Sequence, residues 1–375
     1  MMCRAVPLAA ALLLALSSHS PAAAEAPRVP VLVPLSGFLA LEGTSQRNGA
    51  LLALESAPEG SVSYEVEDTG TSPEVAVNAL ERALSRGGAV AAVASMLGTQ
   101  MLAMIPVADQ YGVPLVTVSG TAKLTELGSP NVFRFFPGDA VVKTAQARYV
   151  AEELGKSRPA LVYQTTAYGQ SGREHLLATF ESLGASVVFE EGIDPAIKDL
   201  LPVLTKAMAA EPDVIVLQLH AGSTALVVRQ AKAMGIALPI VAGSAMHQPQ
   251  TAALLEPGEL AGVCAETGSS PVSGGTPEME AFAQAYRKAF STEPDAFALA
   301  QYDGTRMVLQ ALAAGATTPE DVRDYLSRET YEGVAMTYRS DGTGNMAHDA
   351  AIICYDGTSR VPEVVKRYSG LDGVR

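Results

Sequence analysis

The sequence predicts an α/β protein of two similar lobes, each a parallel sheet covered by helices and facing the other across a cleft. Three observations carry that expectation. Short apolar runs rich in β-branched residues alternate with helical patterns along most of the 375 residues, as in parallel units buried on both sheet faces. The pattern occurs twice, with four strands and their intervening helices over 29–118 and again over 160–242. The chain is also too long for one modest core and suits two lobes.

The elements follow in order. Arg4 supplies a short basic region, 7–16 an apolar segment too short to span a bilayer, and Ala22 to Ala24 a small-residue cleavage site. Together they predict a secretory signal peptide over 1–24, with a mature chain that starts at Glu25 and works in the periplasm. Cys3 precedes the apolar segment, so it is misplaced for lipid attachment. Strands are expected at 29–35, 62–67, 89–94 and 114–118, with helices at 44–55, 73–86 and 99–111. Pro73 opens the second helix and Gly87-Gly88 closes it. The run Asn131 to Pro137 has no helical period and suits a crossover between lobes. Strands at 160–163, 186–189, 214–218 and 239–242 alternate with helices at 141–154, 169–183, 198–208 and 223–234, the last stopped by Gly235. After Ala261 the order changes to a strand at 262–267, helices at 277–290, 296–314 and 319–327, and then further strands. No fixed short period runs through the chain, which rules out a solenoid.

Composition removes several functions. The formal charge is −14 and no run of Lys or Arg forms a basic stripe, which argues against nucleic acid and anionic membranes as partners. Of three cysteines, Cys264 and Cys354 lie beyond the leader, so the chain is no disulfide scaffold. Export permits one bond between them, but buried free thiols are the expected state. No metal-spaced Cys/His set, phosphate loop or nucleophile elbow occurs, and Gly169 to Arg173 lacks the second glycine of the last. Neither catalysis nor a metal or cofactor is expected.

One stretch does suggest a site. Gly98 and Thr99 open a helix, the next strand follows, and it runs out into Ser119-Gly120-Thr121. Ligands of open parallel sheets sit beyond the carboxyl ends of the strands, and helix amino termini there offer free N–H donors to an anion. These turns read as a carboxylate cradle, with an ordinary chain reversal as the alternative.

Six segments then resemble a known family: 34–43 (PLSGFLALEG), 116–125 (VTVSGTAKLT), 132–136 (VFRFF), 167–171 (AYGQS), 229–235 (RQAKAMG) and Tyr302-Asp303. Their order and spacing resemble those of type I periplasmic solute-binding proteins, and most nearly the leucine/isoleucine/valine-binding proteins of ABC importers. The resemblance runs over the whole chain after the leader. It implies two Rossmann-like lobes joined by a three-strand hinge. Lobe one would be 25–136 plus 264–338, and lobe two 137–263 plus 339–375. It further implies a monomer that closes on a small-molecule ligand and hands it to an inner-membrane permease. A ligand sensor of the same fold is the alternative partner reading.

Family pocket positions fall on Glu42, Gly98, Thr99, Ser119, Thr121, Tyr168, His220 and Ala245, with Met246 and His247 in the adjoining loop. Ser119 and Thr121 would hold a carboxylate through hydroxyls and backbone N–H groups, and the Tyr168 ring would lie over the ligand. A loop tyrosine and an idle histidine are the plain alternatives for Tyr168 and His220. Relatives hold the ligand's ammonium with an acid in the loop that here reads Gly243 to Pro249, and none is present in it. Glu42, expected in a loop, is the candidate substitute, with a solvent-facing carboxylate as the alternative. An apolar or branched-chain amino acid is the expected ligand; a small carboxylate, aromatic acids included, or an amide is the second expectation.

Overall fold

The computed structural model describes Met2 and residues 26–371. Apart from Met2, the expected leader, its cleavage site and Cys3 therefore lie outside the described residues. In chain order the first body holds β1 (Val31–Val33), α1 (Ala40–Leu54), β2 (Val66–Asp68), α2 (Pro73–Ser85), β3 (Ala92–Ala94), α3 (Gly98–Tyr111), β4 (Leu115–Thr117) and β5 (Val132–Arg134). The second continues with α4 (Asp139–Arg148), β6 (Pro159–Gln164), α5 (Ala167–Ser182), β7 (Phe189–Ile193), α6 (Leu201–Ala209), β8 (Val214–Gln218), α7 (Ala221–Ala233), β9 (Ile240–Ala242), α8 (Pro249–Ala252) and β10 (Val263–Thr267). The chain then adds α9 (Pro277–Phe290), α10 (Ala296–Ala313), α11 (Pro319–Arg328), β11 (Thr330–Glu332), β12 (Thr337–Arg339), β13 (Ala350–Cys354) and β14 (Glu363–Tyr368).

Two sheets result. The first is wholly parallel in the order β2-β1-β3-β4-β5. The second runs β14-β13-β10-β9-β8-β6-β7 and is parallel except where β13 meets β10 and β14 antiparallel. Strands with every residue buried, such as β1, β3, β4 and β8, explain the unbroken apolar runs in the sequence. Helices α10 and α11 return to the first sheet, with Met307, Val308, Val322 and Leu326 in one core with Val31, Val93 and Val116, while α9 packs against α10 through Met279, Phe282 and Tyr286. The chain passes between the bodies after β5, after β10 and before β13, which makes the three-strand hinge.

The expected boundaries need adjusting. β10 pairs with β9 and β13, so 264–267 belong to the second sheet. Residues 339–347 stay with the first body, where Asn345 bridges Arg134 and Met346 and Ala347 join its core. The run 131–137, read as a bare crossover, contributes β5 to the first sheet before crossing. Helix α1 starts four residues before the expected one, so Glu42 sits in its first turn and not in a loop. The short 3-10 turn Gly37–Leu39 feeds that helix directly. Gly43, read as loop, lies so close to β1 that a Cβ there would meet the Pro34 carbonyl oxygen at 1.7 Å.

The expectation of free thiols is also corrected. Cys264 and Cys354 stand directly opposite each other in the antiparallel β10–β13 pair and are joined in a disulfide closing a separation of 90 residues. Register is the cause, because directly opposed residues on neighbouring antiparallel strands hold their Cβ atoms within disulfide reach. Thiol titration of the denatured, unreduced chain from residue 26 onward should therefore find no reactive thiol. Reduction should lower stability by roughly 2–4 kcal/mol, read as a shift of the denaturant midpoint; two titratable thiols would refute the bond.

Candidate functional site: a polar cavity between the lobes

The cradle loop is built from the backbone outward. Thr117 Oγ1 accepts from Ser119 N at 3.2 Å and donates to the Ser95 carbonyl at 2.9 Å, which fixes the exit of β4. Arg134 of β5 is buried and donates to the Thr121 carbonyl at 2.7 Å, the Gly120 carbonyl at 3.3 Å, Thr125 Oγ1 at 3.0 Å and Asn345 Oδ1 at 3.0 Å. Burial pulls its guanidinium down to about 10, so it remains charged at neutral pH. With both carbonyls turned toward Arg134, the hydroxyls of Ser119 and Thr121 are buried and have no partner. Gly98 touches that loop, because a Cβ there would come within 2.0 Å of Thr121 Oγ1. Its place at the start of α3 puts free N–H groups beside the loop.

The opposite wall comes from helix starts of the second body. Thr166 caps α5 by accepting from Gly169 N at 3.2 Å, which puts Tyr168 in the first turn. His220 precedes α7, and its N–H donates to Gln164 Oε1 at 2.8 Å. The His220 ring lies between Phe38 at 5.5 Å and Tyr168 at 5.1 Å. Burial pushes its pKa down to about 3, so the ring is neutral.

These walls are drawn together. Among direct bonds across the cleft, Ala221 N donates to Glu42 Oε1 at 2.9 Å, Ala122 N to Ser171 Oγ at 2.9 Å, and Gln248 Nε2 to Asp295 Oδ2 at 2.6 Å. Between them lies a cavity of about 20 Å³ lined by Glu42, Gly120, Tyr168, His220, Ala245 and apolar neighbours that include Phe136 and Phe297. That is room for about one water, far below the roughly 300–1,000 Å³ of ligand clefts. The lobes are closed over this cavity.

Glu42, Tyr168, His220 and Ala245 thus line the cavity, Ser119 and Thr121 flank Gly120, and Gly98 supports the loop. Thr99 is only half-buried and does not line the cavity. Met246 is corrected: its side chain packs into the second body's core with Leu219, Ala242 and Leu260. The 3-10 turn Ser244–His247 explains this, since each residue there steps about a third of a turn round the axis, which leaves Ser244 and Ala245 at the cavity and carries Met246 to the core. His247 stands behind the cavity, 4.8 Å from Phe297 and 6.1 Å from Phe136.

The charges decide what the cavity can hold. Glu42 Oε2 is buried without a partner, and burial raises this carboxyl to about 7 against the lowering pull of Ala221 N–H. Asp139, in the first turn of α4, also has an unpartnered oxygen and is raised to about 7 by burial, with Lys143 and the Ser171 hydroxyl pulling it back. It adjoins the cradle, since a Cβ on Gly120 would lie 3.2 Å from Asp139 Oδ1. A third acid, Glu266 of β10, is consumed: Lys143 pairs with it in full burial, and Ser244 Oγ donates to its two oxygens at 2.7 and 2.8 Å. Sequence reasoning did not single out Asp139, Lys143, Glu266 or Arg134, which the structure gathers around the cradle and the cavity. The only available signal was the placing of two acids and two cations on segments that otherwise read as buried.

Two α/β lobes closed on a mostly apolar cavity with a few buried polar groups have the form of a small-molecule-binding protein. The chain belongs to the periplasmic binding protein family, whose model matches residues 27–359. It is similar to the Leu/Ile/Val-binding protein BraC3 of Rhizobium johnstonii, at 27% identity over 59% of this chain and 62% of that protein. It is also similar to the leucine-, isoleucine-, valine-, threonine- and alanine-binding protein of Pseudomonas aeruginosa, at 23% identity over 87% of each. Among solved structures it resembles an ABC-transporter solute-binding protein of R. palustris in complex with benzoate, with a TM-score of 0.83 and 16% identity over 93% of this chain and 98% of that one.

Thr121→Ala should weaken ligand binding by about 10- to 100-fold, the worth of roughly 1.5–3 kcal/mol for a hydrogen bond to a charged group. Gly98→Ala, which pushes on the same hydroxyl, should weaken it in the same direction while circular dichroism stays native. Calorimetric affinities unchanged in both variants would remove the cradle.

Proposed function

We propose that the protein is a periplasmic receptor that binds an apolar amino acid and delivers it, as a monomer, to an ABC permease, without turning it over. One observation carries the ligand class. Glu42 at the cavity and Asp139 beside Gly120 are buried carboxyl groups with a free oxygen each, and among the described residues no cation lines the cavity. A zwitterion fits that balance: its carboxylate on the cradle hydroxyls and helix N–H groups, its ammonium on Asp139 and Glu42, its side chain against Phe136, Phe297 and Leu39. An unpaired buried ammonium would be costly, and these acids take the place of the one missing from 243–249. The names of the curated relatives support the same class. Release to a permease follows from hinge opening, which breaks the Glu42–Ala221 and Ser171–Ala122 bonds and wets the site.

The aromatic cluster of Phe136, Phe297 and His247 favours a second reading, an aromatic carboxylate of the kind bound by the R. palustris protein. Proton linkage separates the two. Near pH 7, Glu42 and Asp139 are each about half protonated; an arriving ammonium lowers their pKa values and expels protons, whereas an anion raises them and takes protons up. Calorimetry with leucine at pH 7, in buffers of differing ionisation enthalpy, should show proton release that shrinks in Asp139→Asn and in Glu42→Gln. Binding of benzoate or 4-methylpentanoate with proton uptake, and of no amino acid, would sink the amino-acid reading.

A further inference from the structure

A second cavity opens on the other side of His220. Its volume is about 330 Å³, and its walls include Phe38 from the first body and Ile197, Lys198, His220, Gly222 and Leu226 from the second. His220 lines both cavities, so its neutral ring borders each of them. That ring is nine-tenths buried, and its Nε2 has no hydrogen-bond partner. Helix α7 begins here with 13 residues. Ala221 N is taken by Glu42, while the first-turn amides of Gly222 and Ser223 have no carbonyl within the helix to bond. Arg229, also at this wall, is engaged by the Leu254 carbonyl and lies 3.6 Å from Glu259; Lys198 on the rim is exposed. The cavity therefore has apolar sides, a helix amino terminus, an orphan ring nitrogen and an ammonium at its mouth.

We propose that the ligand site continues past His220 into this cavity, and that the receptor takes amino acids whose side chain ends in a carboxylate several methylenes from Cα. This rests on the amino-acid reading above and extends it. The α-carboxylate and ammonium stay on the cradle and on the acids. The methylenes pass the displaced His220 ring between Phe38 and Leu226, where their burial is favourable. The distal carboxylate meets the amides of Gly222 and Ser223, as anions do at helix amino termini, with Lys198 beside it. Leucine uses the inner part alone.

Norleucine and L-2-aminoadipate have side chains of the same length, and only the second ends in a carboxylate. Calorimetry on the wild type should find L-2-aminoadipate at least tenfold tighter than norleucine. Gly222→Leu supplies the blocking variant, because a Cβ at Gly222 meets nothing within 4 Å and leucine favours a helix. It should cost L-2-aminoadipate at least tenfold and leave leucine within twofold, and Lys198→Ala should cost L-2-aminoadipate severalfold at low salt. Equal affinity of norleucine and L-2-aminoadipate in the wild type, or a Gly222→Leu variant that binds L-2-aminoadipate as well as the wild type, would overturn the extension. Leucine binding by the wild type reports separately on the amino-acid reading.

Discussion

The buried guanidinium of Arg134 is the constraint on which the cleft depends. It leaves β5 at the first crossing between the lobes and holds the carbonyls of Gly120 and Thr121, the hydroxyl of Thr125 and the side chain of Asn345 near the last crossing. One charge therefore fixes the cradle loop and ties it to two of the hinge segments. Gly138 is required beside it, since a Cβ there would sit 2.6 Å from the guanidinium carbon. Such a group is stable in burial only because its donors are met; Asp139 N and Leu124 N also donate to the Gly120 and Thr121 carbonyls, at 2.7 and 3.3 Å, so removing it would take the charged one of two donors from each. Cradle geometry and hinge geometry are consequently not independent.

Around that fixed loop, the acids divide by their partners. Glu266 is paired with Lys143 and held by Ser244, which makes it a wall of the second lobe. Asp139 and Glu42 keep a free oxygen each, and their carboxyls are poised between charged and neutral. A buried polar atom without a partner is costly, and such atoms accumulate where a ligand completes the bonding. Glu42 carries its orphan oxygen at the closed cavity, and those of Ser119, Thr121 and Asp139 belong to residues gathered about Gly120 at its edge. Glu42 has a double role, since its other oxygen accepts from the first amide of α7 across the cleft. Closure and ligand charge are thereby coupled through one side chain.

Much of this was legible in the chain itself. Short unbroken apolar runs rich in β-branched residues located the parallel strands, because a strand buried on both faces tolerates little else. Helix starts at Pro73, Pro277 and Pro319 announced themselves, since proline fits the first turn and a Ser or Thr cap precedes each. The Ser-Gly-Thr loop after β4 and the Tyr-Gly start of α5 were readable as cleft positions because parallel topology sends strand ends to one edge. Edge strands were read less well: β7 lies three residues beyond its expected start, as pairing with β6 alone selects it.

Tertiary structure decided the rest, for reasons of distance. The disulfide depends on the register of two strands whose cysteines lie 90 residues apart. Which acid is spent and which is free depends on Lys143 reaching Glu266 across 123 positions, and no local pattern encodes that. The start of α1, and with it the burial of Glu42, follows from a glycine pressed against the exit of β1, whereas the same glycine in sequence reads as a loop. Local propensity and periodicity act over a few residues, so they determined elements, layers and the class of the fold. Charge pairing, burial and cavity shape arise where distant segments meet, and only the folded chain assigns them.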